Sequence, residues 1–169
     1  METSEAISRA MTVREYDRSK SLDKSSIRKI IDAGRMTASA RNMQAWSFIA
    51  ITDRDLLGKI ADLSPSGRHI SNAAFAIAVV TDPQNRWSEI DSTRAVQSMT
   101  IEAWDLGLGN SWVGSIDRDK VKDLLKIPRN LNILTILPFG FPTKNYKGKK
   151  SRKPFDDVAY LNQFGIKFN

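Results

Sequence analysis

Three short stretches of this sequence could meet an anion or a polar heterocycle. TVREY, residues 12–16, places the Thr12 hydroxyl and the Arg14 guanidinium two positions apart. In an extended segment that spacing puts both on one side. SARNMQAW, residues 39–46, carries Asn42 and Gln44 just before an apolar run. A side-chain amide offers donor and acceptor together, which suits a heterocycle edge. YKGKKSRKPF, residues 146–155, holds Lys147, Lys149, Lys150, Arg152 and Lys153. If KSR is extended, Lys150 and Arg152 share a face, and such a pair suits a phosphate, arginine giving the directed fork. Taken singly, each stretch has an ordinary alternative: a solvated arginine, turn-forming amides, a basic surface loop.

Other chemistry finds little support. There is no cysteine, hence no thiolate nucleophile, disulfide framework or zinc finger. The single histidine, His69, has no serine, cysteine or carboxylate arrangement that singles it out and reads as a loop residue. Asp23, Asp53 and Asp117 stand where helices should begin, and capping accounts for them. Gly107-Leu-Gly109 follows a helix and precedes a strand, the reverse of a dinucleotide fingerprint, so Gly107 reads as a helix terminator. A reaction carried out here therefore points to a cofactor.

These stretches must be positioned by the rest of 169 residues, enough for one domain with a real core, residues 1–169. A short helix is expected over residues 3–11, and a second from Asp23 to about Met36. WSFIAIT and AAFAIAVVT read as buried strands, with a helix capped by Asp53 between them. A long helix spans roughly Ile90 to Leu106. NSWVGSI is expected as a third strand, followed by a helix capped by Asp117 that ends before Pro128. LNILTILPFG is a fourth strand, and a short helix from about Phe155 closes the chain. Continuously apolar strands need both sheet faces covered, so the fold class is α+β, a three-layer α-β-α sandwich. The long helix carries two apolar stripes, Val96, Met99, Ala103 and Leu106 on one side and Ile101, Trp104 and Leu108 on another. Two stripes need two partners: the sheet and a second subunit, or complete burial.

The net charge of +7 sits mostly in residues 147–153, where no acid interrupts the cations. That concentration suits a small anion at least as well as a nucleic acid, and no aromatic is interleaved there to stack on bases. No apolar run is long enough for a membrane span, and the N-terminus lacks a signal-peptide core. A cytoplasmic protein is expected, with neither nucleic acid nor membrane as a partner.

Together the stretches resemble the nitroreductase family of FMN-dependent oxidoreductases. TVREY is similar to the family's R-x-S-x-R/K opening, and SARNMQAWSFIAITD to its P-S-x-x-N-x-Q-P-W-x-F segment and following strand. AVQSMTIEAWDLGLGNSWVGSID resembles its helix–GLG–x–x–W–x–G passage. ILPFGFP resembles the late strand with its G-x-P end, and KKSRKPFDDV the basic tail. The resemblance implies a mostly antiparallel central sheet with helices on both faces, and a homodimer holding FMN at the subunit interface. It implies that Thr12 and Arg14 contact the flavin's phosphate side and pyrimidine edge, and that Lys150 and Arg152 hold the phosphate. Ser39, Asn42 and Gln44 would reach across from the other subunit. Val113, Gly114 and Ser115 would lie against the isoalloxazine, with backbone N–H groups near N5. NADH or NADPH would be the donor, and a nitroaromatic, quinone or similar small molecule the acceptor, in a ping-pong reaction. A cation such as Arg14 near N1 and O2 would stabilise the electron-rich reduced ring. A specialised flavoenzyme of dehalogenase or flavin-fragmenting type is the alternative within the family, and a basic nucleic-acid-binding module the alternative outside it.

The sequence departs from the family pattern in three places. Ala10 and Met11 stand where arginines are usual, and Arg9 lies one position off. Ala38 and Ala45 replace common prolines. Only TDPQNRWSE joins the second strand to the long helix, where longer relatives often place a lid.

Overall fold

A computed structural model describes residues 2–144, 146 and 150–168 of the chain. Local signals set most element boundaries. Helices α1 (Thr3–Arg9), α2 (Lys24–Arg35), α3 (Arg54–Asp62), α4 (Ser88–Asp105) and α5 (Arg118–Leu125) alternate with strands β1 (Trp46–Ile51), β2 (Phe75–Thr81), β3 (Gly109–Asn110) and β4 (Asn132–Gly140). Asp23, Asp53 and Asp117 are the N-caps of α2, α3 and α5, each carboxylate accepting a backbone N–H three residues on, from Ser26, Leu56 and Lys120. Helix α4 closes in a Schellman motif. Gly107, at φ +76, donates its N–H to Trp104, and Leu108 donates to Ala103.

The four strands form one antiparallel sheet in the order β1-β2-β4-β3. Alternation along β2 explains the two cores. Ala76, Ala78 and Val80 face one side, packing with Leu57, Ile60, Val121 and Ile136 under α3 and α5. Phe75, Ile77 and Val79 face the other, packing with Ile30, Val96, Met99 and Phe139 under α2 and α4. A register shift between Val79 and Val80 interrupts the pairing with β4. The three-layer sandwich with an antiparallel sheet is as expected.

Three elements differ from expectation. NSWVGSI is not a strand. Only Asn110 of it belongs to β3, and Val113 makes one isolated bridge to Ile136. The chain touches the sheet there just often enough to fix a loop. Among the described residues no α-helix follows Phe155: a 3-10 turn, Phe155–Asp157, forms instead. Asn162 at φ 61 and Gly165 at φ +90 turn the rest of the tail. Leu108 does not belong to an outward stripe of α4, because the helix ends before it and the Schellman turn tucks it into the core, fully buried. Ile101 and Trp104 remain half-buried.

Candidate functional site: a strip, a loop and a tail around one helix

The TVREY strip is held by its two buried residues. Val13 is fully buried and Tyr16 nearly so. Val13 donates its N–H to Asn110 at 2.8 Å, and the Tyr16 hydroxyl donates to the carbonyl oxygens of Val13 and Pro138 at 2.8 and 3.1 Å. The strip lies so close to the sheet edge that only glycine fits beneath it. A Cβ on Gly109 would sit 2.2 Å from a Val13 methyl, and one on Gly140 2.7 Å from the Tyr16 ring. Thr12 and Arg14 therefore both point outward, exposed, as period two requires. Glu15 is drawn away by Lys144 at 2.7 Å, and that ammonium holds its carboxyl below the usual range. Among the described residues no carboxylate pairs with Arg14.

Beside Arg14 stand groups that sequence reasoning passed over. His69 Nε2 lies 2.7 Å from the hydroxyl of buried Ser111. Burial, and then the positive charge of Arg14, push the His69 pKa below its ordinary value. Asn110 donates its side-chain amide to Thr100 Oγ1 at 2.9 Å, tying the site to α4. A cleft of about 210 Å³ opens between Ala10, Thr12, Gln97, Ser111 and Trp112. Arg9 does not line it but is paired with Glu5 at 2.7 Å on the surface of α1.

The following loop presents its groups differently from one another. Val113 is only 2% exposed, its N–H donating to Ile136 and its carbonyl accepting from Ile136 N–H and the Thr135 hydroxyl. It is an anchor whose N–H is already engaged, so an N–H offered to a ligand falls to Gly114 and Ser115, which follow it toward the surface. Gly114 lies against the exposed Trp112 indole, where a Cβ would meet Nε1 at 3.3 Å.

The basic tail contributes on the same side as α1. Lys150 donates to the carbonyl of Ile7. Partial burial, and then the neighbouring Arg152, lower its pKa. The two cations are thus near enough to repel one another. Lys147 and Lys149 lie outside the described residues.

The amide loop lies elsewhere. Ser39 to Gln44 is tightly wound: Arg41, Asn42 and Gln44 all have positive φ, at 52°, 55° and 49°. Arginine and glutamine rarely adopt that region, and such conformations cluster at functional sites. The Ser39 hydroxyl accepts the Gln44 N–H at 3.0 Å, and the Gln44 side chain donates to the Asn42 carbonyl. The loop is fastened by a residue that sequence reasoning missed. Asp91, buried in the first turn of α4, accepts the Ala40 N–H at 2.8 Å. Its only sequence signal was an acid in a first turn, which capping or the helix dipole would equally explain.

Asp91 and Thr100 are nine residues apart on α4, which places them about 13 Å apart along the axis and about half a turn round it. In one chain the amide loop and the Thr12–Arg14 strip therefore flank opposite sides of the helix. Of the residues singled out from sequence, Thr12 lies beside one side of α4 with Arg14 on the same strip, and Ser39, Asn42 and Gln44 belong to the loop fastened to the other side. Lys150 and Arg152 stand by α1, while Val113 is anchored on the sheet under α3 and α5 and Gly114 and Ser115 follow it.

Comparison with known proteins gives the setting. The family model described as the nitroreductase family matches residues 7–67 and 65–141. A provisionally named NADH dehydrogenase/NAD(P)H nitroreductase of Archaeoglobus fulgidus is 32% identical over 126 residues, 69% of this chain and 72% of its own. A protein of the same provisional name from Methanothermobacter thermautotrophicus is 30% identical over 154 residues, 86% of this chain and 80% of its own. Among solved structures, one of that provisional name from Bacteroides thetaiotaomicron superposes with a TM-score of 0.87 at 25% identity, covering 96% of this chain and 98% of its own. An FMN-dependent nitroreductase of Clostridium difficile shares the fold at a TM-score of 0.83 and 21% identity, over 92% of this chain and 96% of its own. Matched by that model over most of its length and by relatives at 30% identity or more, the chain belongs to the nitroreductase family of oxidoreductases.

Proposed function

We propose that two copies of this chain bind FMN and transfer electrons from NADH or NADPH to nitroaromatic, quinone or similar small-molecule acceptors. The observation that carries this reading is the division of the site. Each chain bears two groups on opposite sides of α4, and a second copy beside that helix would supply one chain's amide loop to the other's cationic strip. The residues suit the cofactor. The outward Arg14 lacks a carboxylate partner among the described residues, the Lys150–Arg152 pair lies beside α1, and Gly114 and Ser115 follow an anchored residue. Arg9 is committed to Glu5, so the phosphate would rest on Thr12, Lys150 and Arg152. Exposed apolar residues along the tail, Phe155, Val158, Leu161, Phe164, Ile166 and Phe168, favour a second copy to cover them.

Bound FMN would supply two-electron chemistry at separate oxidative and reductive half-reactions, which requires no protein nucleophile. The chain's own residues would do the rest. Arg14 would place a fixed positive charge at the pyrimidine edge and favour the electron-rich form of the ring. Gly114 and Ser115 would offer backbone N–H groups to the ring's opposite side. Asn42 and Gln44, held in their left-handed conformation, would orient it from the neighbouring subunit. Trp112 would shield one flank from water.

The test is an absorbance spectrum followed by anaerobic titration. Purified protein, or protein reconstituted with FMN, should be yellow and bleach with NADH or NADPH, and a nitroaromatic or quinone should restore the colour. Protein that stays colourless after incubation with excess FMN overturns the reading. Bleaching by a nicotinamide without reoxidation by any such acceptor would instead favour a specialised flavoenzyme.

A further inference from the structure

We infer that the cleft between the amide loop and the β2–α4 connection binds the 2′-phosphate end of NADPH through Arg41 and Arg86. This rests on the proposed function and goes beyond it by choosing between the two nicotinamide donors. The cleft has a volume of about 670 Å³ and is lined by Arg41, Met43, Asp82, Asn85, Arg86 and Trp87. That is large for one aromatic acceptor ring and suited to part of a nucleotide.

Its two guanidinium groups are presented rather than consumed. Arg41 is exposed, and among the described residues no carboxylate pairs with it. Its backbone is set at φ 52 in a loop fixed by the Ser39–Gln44 and Asp91–Ala40 hydrogen bonds. Arg86 lies over the Trp87 indole at 4.5 Å from the ring centroid. Stacking engages the face of a guanidinium and leaves its N–H edge free to meet a phosphate. The one acid in the lining, Asp82, is turned into its own loop, where its carboxylate accepts the Gln84 N–H at 2.9 Å. Asn85 likewise accepts the Trp87 backbone N–H at 3.0 Å, which fixes the turn that carries the indole. Two forks and a partly exposed indole match a phosphate monoester next to an adenine. NADH lacks that phosphate. Arg41 also stands directly before Asn42, so the cleft adjoins the loop that would orient the flavin.

The test is calorimetric titration of the FMN-loaded protein with adenosine 2′,5′-bisphosphate and with adenosine 5′-monophosphate, followed by kcat/KM for NADPH and NADH. The native protein should bind the bisphosphate at least tenfold more tightly, with a matching preference for NADPH. Arg41→Gln and Arg86→Gln should each remove about tenfold of both preferences, the scale of one lost charge-assisted contact. Equal affinity for the two nucleotides in the native protein overturns the inference. So does a pair of variants whose only loss is activity toward a carboxylated nitroaromatic compared with its amide, since the anion would then belong to the acceptor. Either result leaves the oxidoreductase reading intact. Failure to bind FMN, or bleaching by neither donor, would instead overturn that reading itself.

Discussion

At the scale of single residues, the site is set by cations without carboxylate partners among the described residues and by an imidazole whose pKa is pushed down. Among the described residues Arg14 has no carboxylate partner, its neighbour Glu15 being taken by Lys144. Arg14→Gln should lower FMN affinity by about tenfold, the loss of one charge-assisted contact. It should hardly change the unfolding midpoint, because the side chain is exposed and contributes little to the folded chain. Equilibrium dialysis with FMN and urea unfolding in parallel separate the two effects. His69 should behave in the opposite way. Its folded pKa is depressed, by burial first and by Arg14 second, below the ordinary value of 6.5. Between the folded and unfolded pKa values the unfolded chain binds more protons, so folding stability rises with pH across that window and falls on acidification through 6.5. His69→Gln should flatten this dependence between pH 7.5 and 5.5 in urea titrations. It should leave the acid limb below pH 4.5, which belongs to carboxylates such as Asp23 and Asp117, whose pKa values are also lowered. An unchanged slope in the variant would remove His69 from the account.

At the scale of elements, the contrast is between signals that act locally and those that act across the fold. The caps Asp23, Asp53 and Asp117 were legible because a carboxylate finds the N–H three residues ahead whatever surrounds it. So was Gly107, whose positive φ the helix terminus demands. β2 and β4 were legible as unbroken apolar runs, since both faces of the sheet are covered. NSWVGSI misled because β-forming residues such as Val113 and Trp112 say nothing about whether a partner strand runs alongside. The left-handed Arg41 and Gln44 were hidden for the same reason: their conformation is imposed by Ser39 and by Asp91, fifty residues away in sequence. Asp91 therefore carries the prediction at this scale. Asp91→Ala would leave the part-buried Ala40 N–H without its acceptor and remove the nearby charge from Arg94, at 3.7 Å. The expected cost is about 1–3 kcal/mol in urea unfolding. FMN affinity should fall as well, although Asp91 would not touch the cofactor, and Asp91→Asn, which keeps an acceptor oxygen, should restore part of both. Full FMN affinity in the alanine variant would show that the loop holds its shape without α4.

The whole molecule carries a feature that no single chain explains. Six large apolar side chains stand exposed between Phe155 and Phe168, and Phe164 is 90% exposed. Among the described residues the expected helix is absent there, an amphipathic segment becoming a helix when its apolar face has a body to pack against, and the ring contacts of this tail are with one another: Phe155 meets Phe168, and Tyr160 meets Phe164. Under the proposed function, the strip and the amide loop on opposite sides of α4 and the exposed apolar tail would both be completed by a second copy. The lone fold and the dimer make opposite predictions for Phe164→Ser. In an isolated chain, replacing a side chain already in water changes stability by no more than about 0.5 kcal/mol. If a partner buries that ring, the substitution removes about 1.5–3 kcal/mol of apolar burial per copy, and the loss appears in the association equilibrium. Sedimentation should find the native chain at twice its 19.0 kDa mass, and Phe164→Ser dissociating at protein concentrations where the native chain stays paired. The unfolding midpoint of both should rise with concentration, as coupling to assembly requires. FMN binding by the variant should then depend on protein concentration too, because each cofactor would need residues from both chains. A native chain that sediments at 19.0 kDa, or a variant that dissociates yet binds FMN as tightly as before, would place the whole site within one subunit and undo the argument from the divided helix.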